Sequence, residues 1–173
     1  LRAMINLAQI RDEMGKSDRA EPMLRQALDV ANRTLGESHS ISRTALGALA
    51  SSCQRLKRND EAVSLYRRAL DLQIQADGPD HPNTLTAMND LAGLYHELKR
   101  DEEAEQLYVK ALEIRTRVQG EDNQDTLILM NNMAAMYRDM GKLERASELM
   151  SRAIAGARKS MPAGHWIIGA FLT

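Results

Sequence analysis

The chain has 173 residues, a length typical of one domain that buries its core without disulfides or a metal. Its 23 basic and 24 acidic side chains nearly cancel, so the positive surface of a nucleic-acid or membrane-surface binder is missing and neither partner is predicted. The only cysteine, Cys53, excludes an internal disulfide. There is no N-terminal leader and no apolar run near about 18 residues, so a reducing, cytoplasmic compartment is predicted.

The sequence is similar to itself at a spacing of 42 residues, which gives four segments, 1–40, 41–82, 83–124 and 125–166. Alanine recurs at three positions in every segment. These positions are Ala8, Ala50, Ala92 and Ala134; Ala20, Ala62, Ala104 and Ala146; and Ala27, Ala69, Ala111 and Ala153. Self-similarity at a fixed period indicates an array of stacked repeats.

Each segment carries two apolar stripes with helical spacing, and the third segment shows them most clearly. Leu85, Met88, Leu91 and Tyr95 step by three or four residues, which predicts a helix over 83–98. A second stripe that begins at Ala104 predicts a helix over 102–118. The link between them is too short for anything but an antiparallel hairpin. The sequence therefore predicts an all-α array of eight helices in four hairpins.

Short polar residues mark the expected helix boundaries. Ser17, Asn59 and Asp101 occupy equivalent positions and are expected to cap the second helix of their hairpins, whereas Leu143 takes that place in the fourth segment. Gly36, Gly78 and Gly120 follow the second helix of the first three segments and are each expected to end it in a left-handed cap.

Histidine recurs in the loop that joins successive hairpins, as His39, His81 and His165, with Asn123 at the equivalent place. A shared metal ion is not expected, because successive loops are separated by at least an interhelical spacing of about 8–10 Å. A structural role in the turn is predicted instead.

No catalytic residue, metal site or cofactor is predicted. The lone thiol of Cys53 lies on a packed stripe and is expected to behave as a small hydrophobic group. The acidic runs at 101–103 and 120–122 lie at helix boundaries, where carboxylates interact favourably with the helix dipole.

The third segment resembles the tetratricopeptide repeat in its 42-residue, kinesin-light-chain-like form. The family pattern LxxLAxxY-x8-A-x3-Y-x2-AL is matched by Met88, Leu91, Ala92, Tyr95, Ala104, Tyr108, Ala111 and Leu112, with methionine in place of the first leucine. The resemblance extends over residues 1–166 and implies one domain, an α-solenoid of four hairpins in a right-handed superhelix. Residues 167–173 would begin a partial fifth repeat.

In that family the first helices line a concave face that binds proteins or peptides. The resemblance places eight candidate residues there: Asn6, Gln9, Arg55, Asn89, His96, Asn131, Asn132 and Arg138. It also places there Ile5, Asp12, Thr44, Gly47, Thr86 and Asp90. Asparagine amides both donate and accept hydrogen bonds, so they could hold the backbone of an extended peptide. The alternative is a polar face that is merely solvated. The few cations lie among acids, so a clamp for a carboxylate tail is not expected.

Two classes of function stay open. One is a non-catalytic interaction scaffold, and the other is the regulatory arm of a larger signalling enzyme. The closing HWIIGAF at 165–171 looks like the end of repeat arrays attached to bacterial serine/threonine kinases, which favours an excerpt from such a protein. A nucleotide-switch ATPase is the other enzyme considered. The apolar cluster Trp166, Ile167, Ile168, Phe171 and Leu172 is expected to cause self-association through the C-terminal end.

Overall fold

The computed structural model describes residues 1–160 and Pro162, and within them the fold is all-α, with eight helices and no strand. The helices are α1 Arg2–Glu13, α2 Ser17–Leu35, α3 Ser40–Arg55, α4 Asn59–Asp77, α5 Pro82–Glu97, α6 Asp101–Gln119, α7 Gln124–Asp139 and α8 Leu143–Ser160. The helices predicted over 83–98 and 102–118 are confirmed, as α5 and α6. The predicted partial fifth repeat over 167–173 lies outside the described residues, as do His165 and the apolar cluster that begins at Trp166.

The chain divides into two compact units, Leu1–Leu94 and a second that begins at Tyr95. In the first unit α1 packs on α2, α2 on α3 and α3 on α4, and α1 also contacts α3. In the second unit α6 packs on α7 and α7 on α8. Within each unit, therefore, a second helix contacts the first helix of the following hairpin, as a repeat array requires.

The recurring alanines form the closest packing positions. Ala8, Ala50 and Ala92 are 0% exposed and Ala134 is 2% exposed. The second and third alanine positions are buried as well, except Ala146, which is half-buried. Because alanine has the smallest apolar side chain, it lets neighbouring helix backbones approach closely while Leu, Met and Tyr fill the remaining space.

The turn inside each hairpin uses one left-handed residue. It is Gly15, Lys57, Lys99 or Gly141, with φ of 75°, 59°, 60° and 73°. In the third hairpin the backbone N–H of Arg100 donates to the carbonyl of Tyr95 at 2.9 Å and that of Lys99 donates to His96 at 2.9 Å. These bonds satisfy carbonyls at the end of α5 in the Schellman arrangement.

The predicted caps of the second helices were wrong. The N-cap positions of α2, α4 and α6 are Lys16, Arg58 and Arg100, and none of them makes a side-chain cap hydrogen bond. The left-handed turn just before each helix sets its start instead. The predicted acids are present in the first turn, for example Asp60 and Glu61 in α4, beside the positive end of the helix dipole.

The loop between hairpins is built on a glycine, a histidine and a hydroxyl. Gly78 has φ 89° and ψ 166°, so it is not the predicted left-handed cap but an extended positive-φ conformation that is essentially restricted to glycine. The ring Nδ1 of His81 accepts a hydrogen bond from the backbone N–H of Asn83 at 3.2 Å. The buried hydroxyl of Thr84 donates to the carbonyl of Gly78 at 2.7 Å.

The same glycine conformation and the same two hydrogen bonds recur in two other loops. At the start of α3 they involve Gly36, His39 and Ser42, and at the start of α7 they involve Gly120, Asn123 and Thr126. The histidines at 39 and 81 therefore cap the first helices, and asparagine does the same at 123 with its side-chain oxygen.

Candidate functional site

The first unit contains a groove formed by its first helices, with α4 as the floor. Its volume is about 370 Å³. It is lined by Gln9 of α1; Ser40, Arg43, Thr44 and Gly47 of α3; Tyr66, Ala69 and Gln73 of α4; and Asn83, Thr86, Ala87 and Asp90 of α5. This surface is called the first-unit groove below. Small and uncharged polar side chains make up most of it.

A smaller pocket of about 270 Å³ adjoins the groove and is lined by α1 and α3. Arg2, Ile5, Asn6 and Ile41 line it, together with Ser40 and Thr44. Because Ser40 and Thr44 line both cavities, the two form one continuous surface.

A network of polar side chains fixes the wall of the first-unit groove. Arg43 donates to the carboxylate of Asp77 at 2.9 Å, and Gln73 donates to the same oxygen at 2.5 Å. The Arg43 side chain is only 11% exposed. A guanidinium held this way is neutralised and cannot swing out to capture an anion, so apart from Asp90 the groove presents uncharged, preorganised hydrogen-bonding groups.

The structure places the four candidate residues of the first unit in different settings. Asn6 lines the smaller pocket and Gln9 lines the groove, and both are exposed. Arg55 lines neither, because its side chain pairs with Asp12 at 2.9 Å. Asn89 is half-buried on α5 and donates to its neighbour Asp90 at 3.3 Å. The cavities therefore bring together Asn6 and Gln9 with Thr44, but not Arg55 or Asn89.

In the second unit the candidate residues centre on one carboxylate. His96 contacts Asp101 through Nδ1 at 2.7 Å and Asp139 through Nε2 at 3.3 Å. Arg138 also donates to Asp139, at 3.3 Å. The hydrogen bond from His96, followed by that from Arg138, lowers the pKa of Asp139 below its usual range. Asn131 and Asn132 lie half-buried on α7.

Two of these pairs have the same separation between partners along the sequence. Asp12 pairs with Arg55, and His96 pairs with Asp139, and in both cases the partner lies one repeat plus one residue later. Each pair links the end of one first helix to the end of the next. Three candidate ligands for a partner therefore already contact acids of this chain. They are Arg55, His96 and Arg138.

Two residues expected on the binding face are buried. Asp12 is 5% exposed and is covered by its ion pair, and Ile5 is 1% exposed although it contributes to the smaller pocket. Neither residue is therefore an exposed ligand of the kind that the resemblance suggested.

Sequence analysis missed several groove residues, of which Arg43 and Gln73 are the most important. Arg43 occupies the position of Leu85 and Leu127 in later repeats. Gln73 occupies the position of Ala31, Arg115 and Ala157. For Arg43, a charged side chain at a position that is apolar in the other repeats was the available signal, since a buried polar group requires a local partner.

The thiol of Cys53 is buried in α3. Burial, ahead of the nearby Glu61 carboxylate, raises the pKa of Cys53 to about 11. The thiol is thus protonated at neutral pH and fits the predicted role of a small hydrophobic group.

Among residues 1–160 and 162, no group of three or more His, Cys, Asp or Glu side chains is arranged to hold a metal ion. No helix in that part of the chain has the length and apolar character needed to cross a membrane.

The family of the protein is shown by its sequence. Models of the tetratricopeptide repeat match residues 1–41, 40–117 and 94–159. The chain therefore belongs to the tetratricopeptide repeat family, whose members generally mediate protein–protein interaction. No curated protein matches the sequence.

Solved structures show the same fold over nearly the whole chain. One is formed by the nearly identical TPR-like repeats of a Podosopora anserina protein assigned as a kinesin light chain. It is 23% identical, with a TM-score of 0.84, over 99% of this chain and 81% of that one. BtubC (BKLC) from P. vanneervenii is 26% identical, with a TM-score of 0.79, over 95% of this chain and 68% of its own. The kinesin-light-chain-like form of the repeat is thereby confirmed.

Proposed function

We propose that this chain is a non-catalytic interaction scaffold that binds an extended peptide segment of a protein partner on the faces formed by its first helices. The first-unit groove carries the proposal. It is continuous with the smaller pocket, its polar wall is fixed by Asp77, and apart from Asp90 it presents uncharged hydrogen-bonding groups. A preorganised groove of uncharged hydrogen-bonding groups suits a peptide backbone, whose N–H and C=O groups need partners of both kinds.

The pairing of cations with local acids supports a neutral or weakly charged ligand. Arg43 and Arg55 are bound by Asp77 and Asp12, so an acidic peptide would have to compete with existing ion pairs. In the second unit the candidate ligands of a peptide are the side-chain amides of Asn131 and Asn132, which are neighbours in the sequence of α7.

A random peptide library displayed on phage tests the proposal. Peptides selected on the chain are measured by fluorescence anisotropy against Thr44→Arg, which fills the groove from an exposed position shared by both cavities. Ser64→Arg, at an exposed position of α4 that lines neither cavity, is the matched control. We expect Thr44→Arg to weaken binding at least about tenfold, a loss of about 1.4 kcal/mol. Equal binding by the two variants would disprove a role for the groove.

The alternative role, a regulatory arm of a bacterial signalling kinase or nucleotide-switch ATPase, is compatible with the same groove. The full reading frame distinguishes it, because a catalytic domain on the same polypeptide would make the array its sensor or recruiter. A cytoplasmic location belongs to the same proposal. Self-association through the cluster at Trp166 also stays a prediction, tested by light scattering on the chain and on a version that ends at Gly164.

A further inference from the structure

The smaller pocket and the first-unit groove occupy equivalent places in successive repeats. The pocket lies between α1 and α3, whereas α3 and α5 both line the groove. Ile5 and Ile41 of the pocket have the repeat positions of Gly47 and Asn83 of the groove, 42 residues later. Thr44 lines both cavities. An extended segment that crosses Thr44 therefore meets two neighbouring sites of similar design but different chemistry.

Two isoleucines give the smaller pocket an apolar lining. Ile5 is buried and Ile41 is half-buried. At the position of Ile41 the later first helices have Asn83 and Asp125, so the apolar lining is not a general feature of the repeat. The volume of about 270 Å³ lies below the range of about 300–1,000 Å³ for sites of drug-sized ligands, which suits a single side chain. An aliphatic side chain fits this chemistry, because its burial against the isoleucines removes apolar surface from water.

The first-unit groove instead favours a cation. Asp90 lines it from an exposed position on α5, two helical turns after Asn83. Asn89 donates to the carboxylate of Asp90 at 3.3 Å, and this bond brings no positive charge because an amide is neutral. A carboxylate can accept about four hydrogen bonds, so Asp90 can accept one from a ligand in addition to that from Asn89. Arg43 also lines the groove, but its charge is balanced by Asp77 at 2.9 Å.

The distance between the two features sets the spacing of side chains on a ligand. Because α1 contacts α3, equivalent points in these successive repeats are separated by an interhelical spacing of about 8–10 Å. Asp90 lies seven residues beyond Asn83, the equivalent of Ile41, which adds about 10 Å along the axis of α5. The two displacements are perpendicular and together give about 14 Å, which an extended peptide covers in about four residues.

We propose that the peptide bound by the first unit carries an aliphatic side chain, held between Ile5 and Ile41, and a lysine or arginine about four residues away, held by Asp90. This inference rests on the proposed function and adds the chemical class of the ligand, a weakly basic extended segment with one aliphatic anchor. Ile41 and Asp90 determine which side chains are accepted, while the uncharged groups between them bind the peptide backbone.

A charge exchange tests the role of Asp90. We expect peptides selected on the chain from the phage library to carry Leu, Ile or Val and a Lys or Arg about four residues apart. Glutamate in place of that basic residue should weaken binding to the unaltered chain at least about tenfold in fluorescence anisotropy. Asp90→Lys should reverse the preference, and Asp90→Asn, which keeps the shape of the side chain, should bind the two peptides about equally.

The matched control for the charge exchange is Asp71→Lys. Asp71 is an exposed acid of α4 that lines neither cavity, and its replacement changes the net charge of the chain by the same amount. This variant should discriminate between the two peptides as the unaltered chain does. A preference that was lost equally in Asp71→Lys and Asp90→Lys would reflect net charge alone and would contradict a contact with Asp90.

A double-mutant cycle tests the aliphatic contact. Ile41→Asn introduces the residue of the equivalent position 83 and should weaken binding of the original peptide at least about fivefold. Alanine in place of the aliphatic residue of the peptide should weaken binding to the unaltered chain by a similar factor, with little further effect on Ile41→Asn. Leu35→Asn, at an exposed residue of α2 that lines neither cavity, is the control and should bind like the unaltered chain.

Far-UV circular dichroism establishes that all variants are folded. If Thr44→Arg blocks the selected peptides but the Asp90 and Ile41 variants leave their preference unchanged, this inference is wrong and the proposed function stands. If Thr44→Arg has no effect, or if the library yields no peptide, both are wrong. Selected peptides rich in acidic residues would overturn the role of Asp90.

Discussion

The hydroxyl of Thr84 donates a hydrogen bond to the carbonyl oxygen of Gly78, six residues earlier, at 2.7 Å. Thr84 is 0% exposed. Ser42 and Thr126 make the equivalent bonds to Gly36 and Gly120, at 2.7 and 2.9 Å. The bond ties the first turn of a first helix to the glycine that ends the preceding second helix, and thereby fixes the direction in which the next hairpin starts.

Thr84→Val should therefore destabilise the chain although it preserves the shape of the side chain. The carbonyl of Gly78 loses its donor, and we expect a loss of about 1–3 kcal/mol in the free energy of unfolding by urea. Thr44→Val is the control, because the Thr44 hydroxyl bonds to Ser40 of the same helix turn at an exposed site, and it should cost less than about 0.5 kcal/mol. Equal losses would show that the Thr84 bond has no special role.

Lys99→Gly should stabilise the chain. Lys99 has φ of 60°, a conformation that costs an L-residue roughly 1–2 kcal/mol and glycine very little. After allowing for the greater entropy of glycine in the unfolded chain, we expect a gain of about 0.5–1 kcal/mol in thermal or urea unfolding. Lys110→Gly, in the interior of α6, should instead lose about 1 kcal/mol. A loss in both variants would contradict the assignment of strain to position 99.

Two helical glycines should respond to alanine with opposite signs. A Cβ at Gly47 meets no atom within 4 Å, so Gly47→Ala should add about 0.5–1 kcal/mol of stability through helix propensity. A Cβ at Gly156 would lie 2.7 Å from Cδ2 of Leu127, which is itself 0% exposed. Gly156→Ala should therefore cost about 1 kcal/mol net. Thermal melts compare the two, and a gain at both positions would show that Leu127 can move aside.

The thiol of Cys53 should be nearly inert. Because its pKa is raised to about 11, chiefly by burial, we expect Ellman's reagent at pH 8 to react with it at least about a hundredfold more slowly than with the exposed thiol of Ser64→Cys in a Cys53→Ala background. Unfolding in urea should equalise the rates. Fast reaction in the folded chain would contradict burial.

An unfolded cysteine ionises near pH 8.5, so the contribution of this group to stability should decrease as the pH rises from about 8.5 to about 11.

Glu105 should contribute to acid sensitivity. Hydrogen bonds from Lys142 and Tyr137, at 2.9 and 2.8 Å, and the nearby charge of Arg145 lower the pKa of this carboxyl below its usual range. A carboxylate with a lowered folded pKa stabilises the fold above its unfolded pKa, near about 4.3, and loses that effect as the pH falls through the lower folded value.

Glu105→Gln should consequently flatten the dependence of stability on pH below about 5, measured by urea titration across the acid range. Glu113→Gln, on an exposed position of the same helix, is the matched control and should leave the profile unchanged. Identical profiles for the two variants would show that the Lys142 and Tyr137 bonds do not stabilise the ionised form.

The helices and the repeat spacing were predictable from the amino-acid sequence alone. The three alanine positions and the apolar stripes placed α5 and α6 to within about one residue, because burial in a repeat array depends mostly on local periodicity and on neighbours of the same sequence pattern. The third segment also matches the tetratricopeptide pattern, and this match predicted the family. The resemblance to that family led to the expected peptide-binding face, with Asn131 and Asn132 among its members, but not to the contacts of those members.

Which candidate side chains are available to a partner depends on contacts that only the folded structure shows. Arg55, His96 and Arg138 had the positions of ligand-binding residues, yet each pairs with an acid, Asp12 or Asp139, that the chain brings alongside it. Arg43 and Gln73 became part of a groove wall because Asp77 lies between them. The contacts of Arg55, His96 and Arg43 with these acids join residues 34 to 43 positions apart. They depend on the packing of one helix against another, which sets distances that helical periodicity within a single helix does not contain. Arg138 and Gln73, by contrast, bond to acids of their own helix.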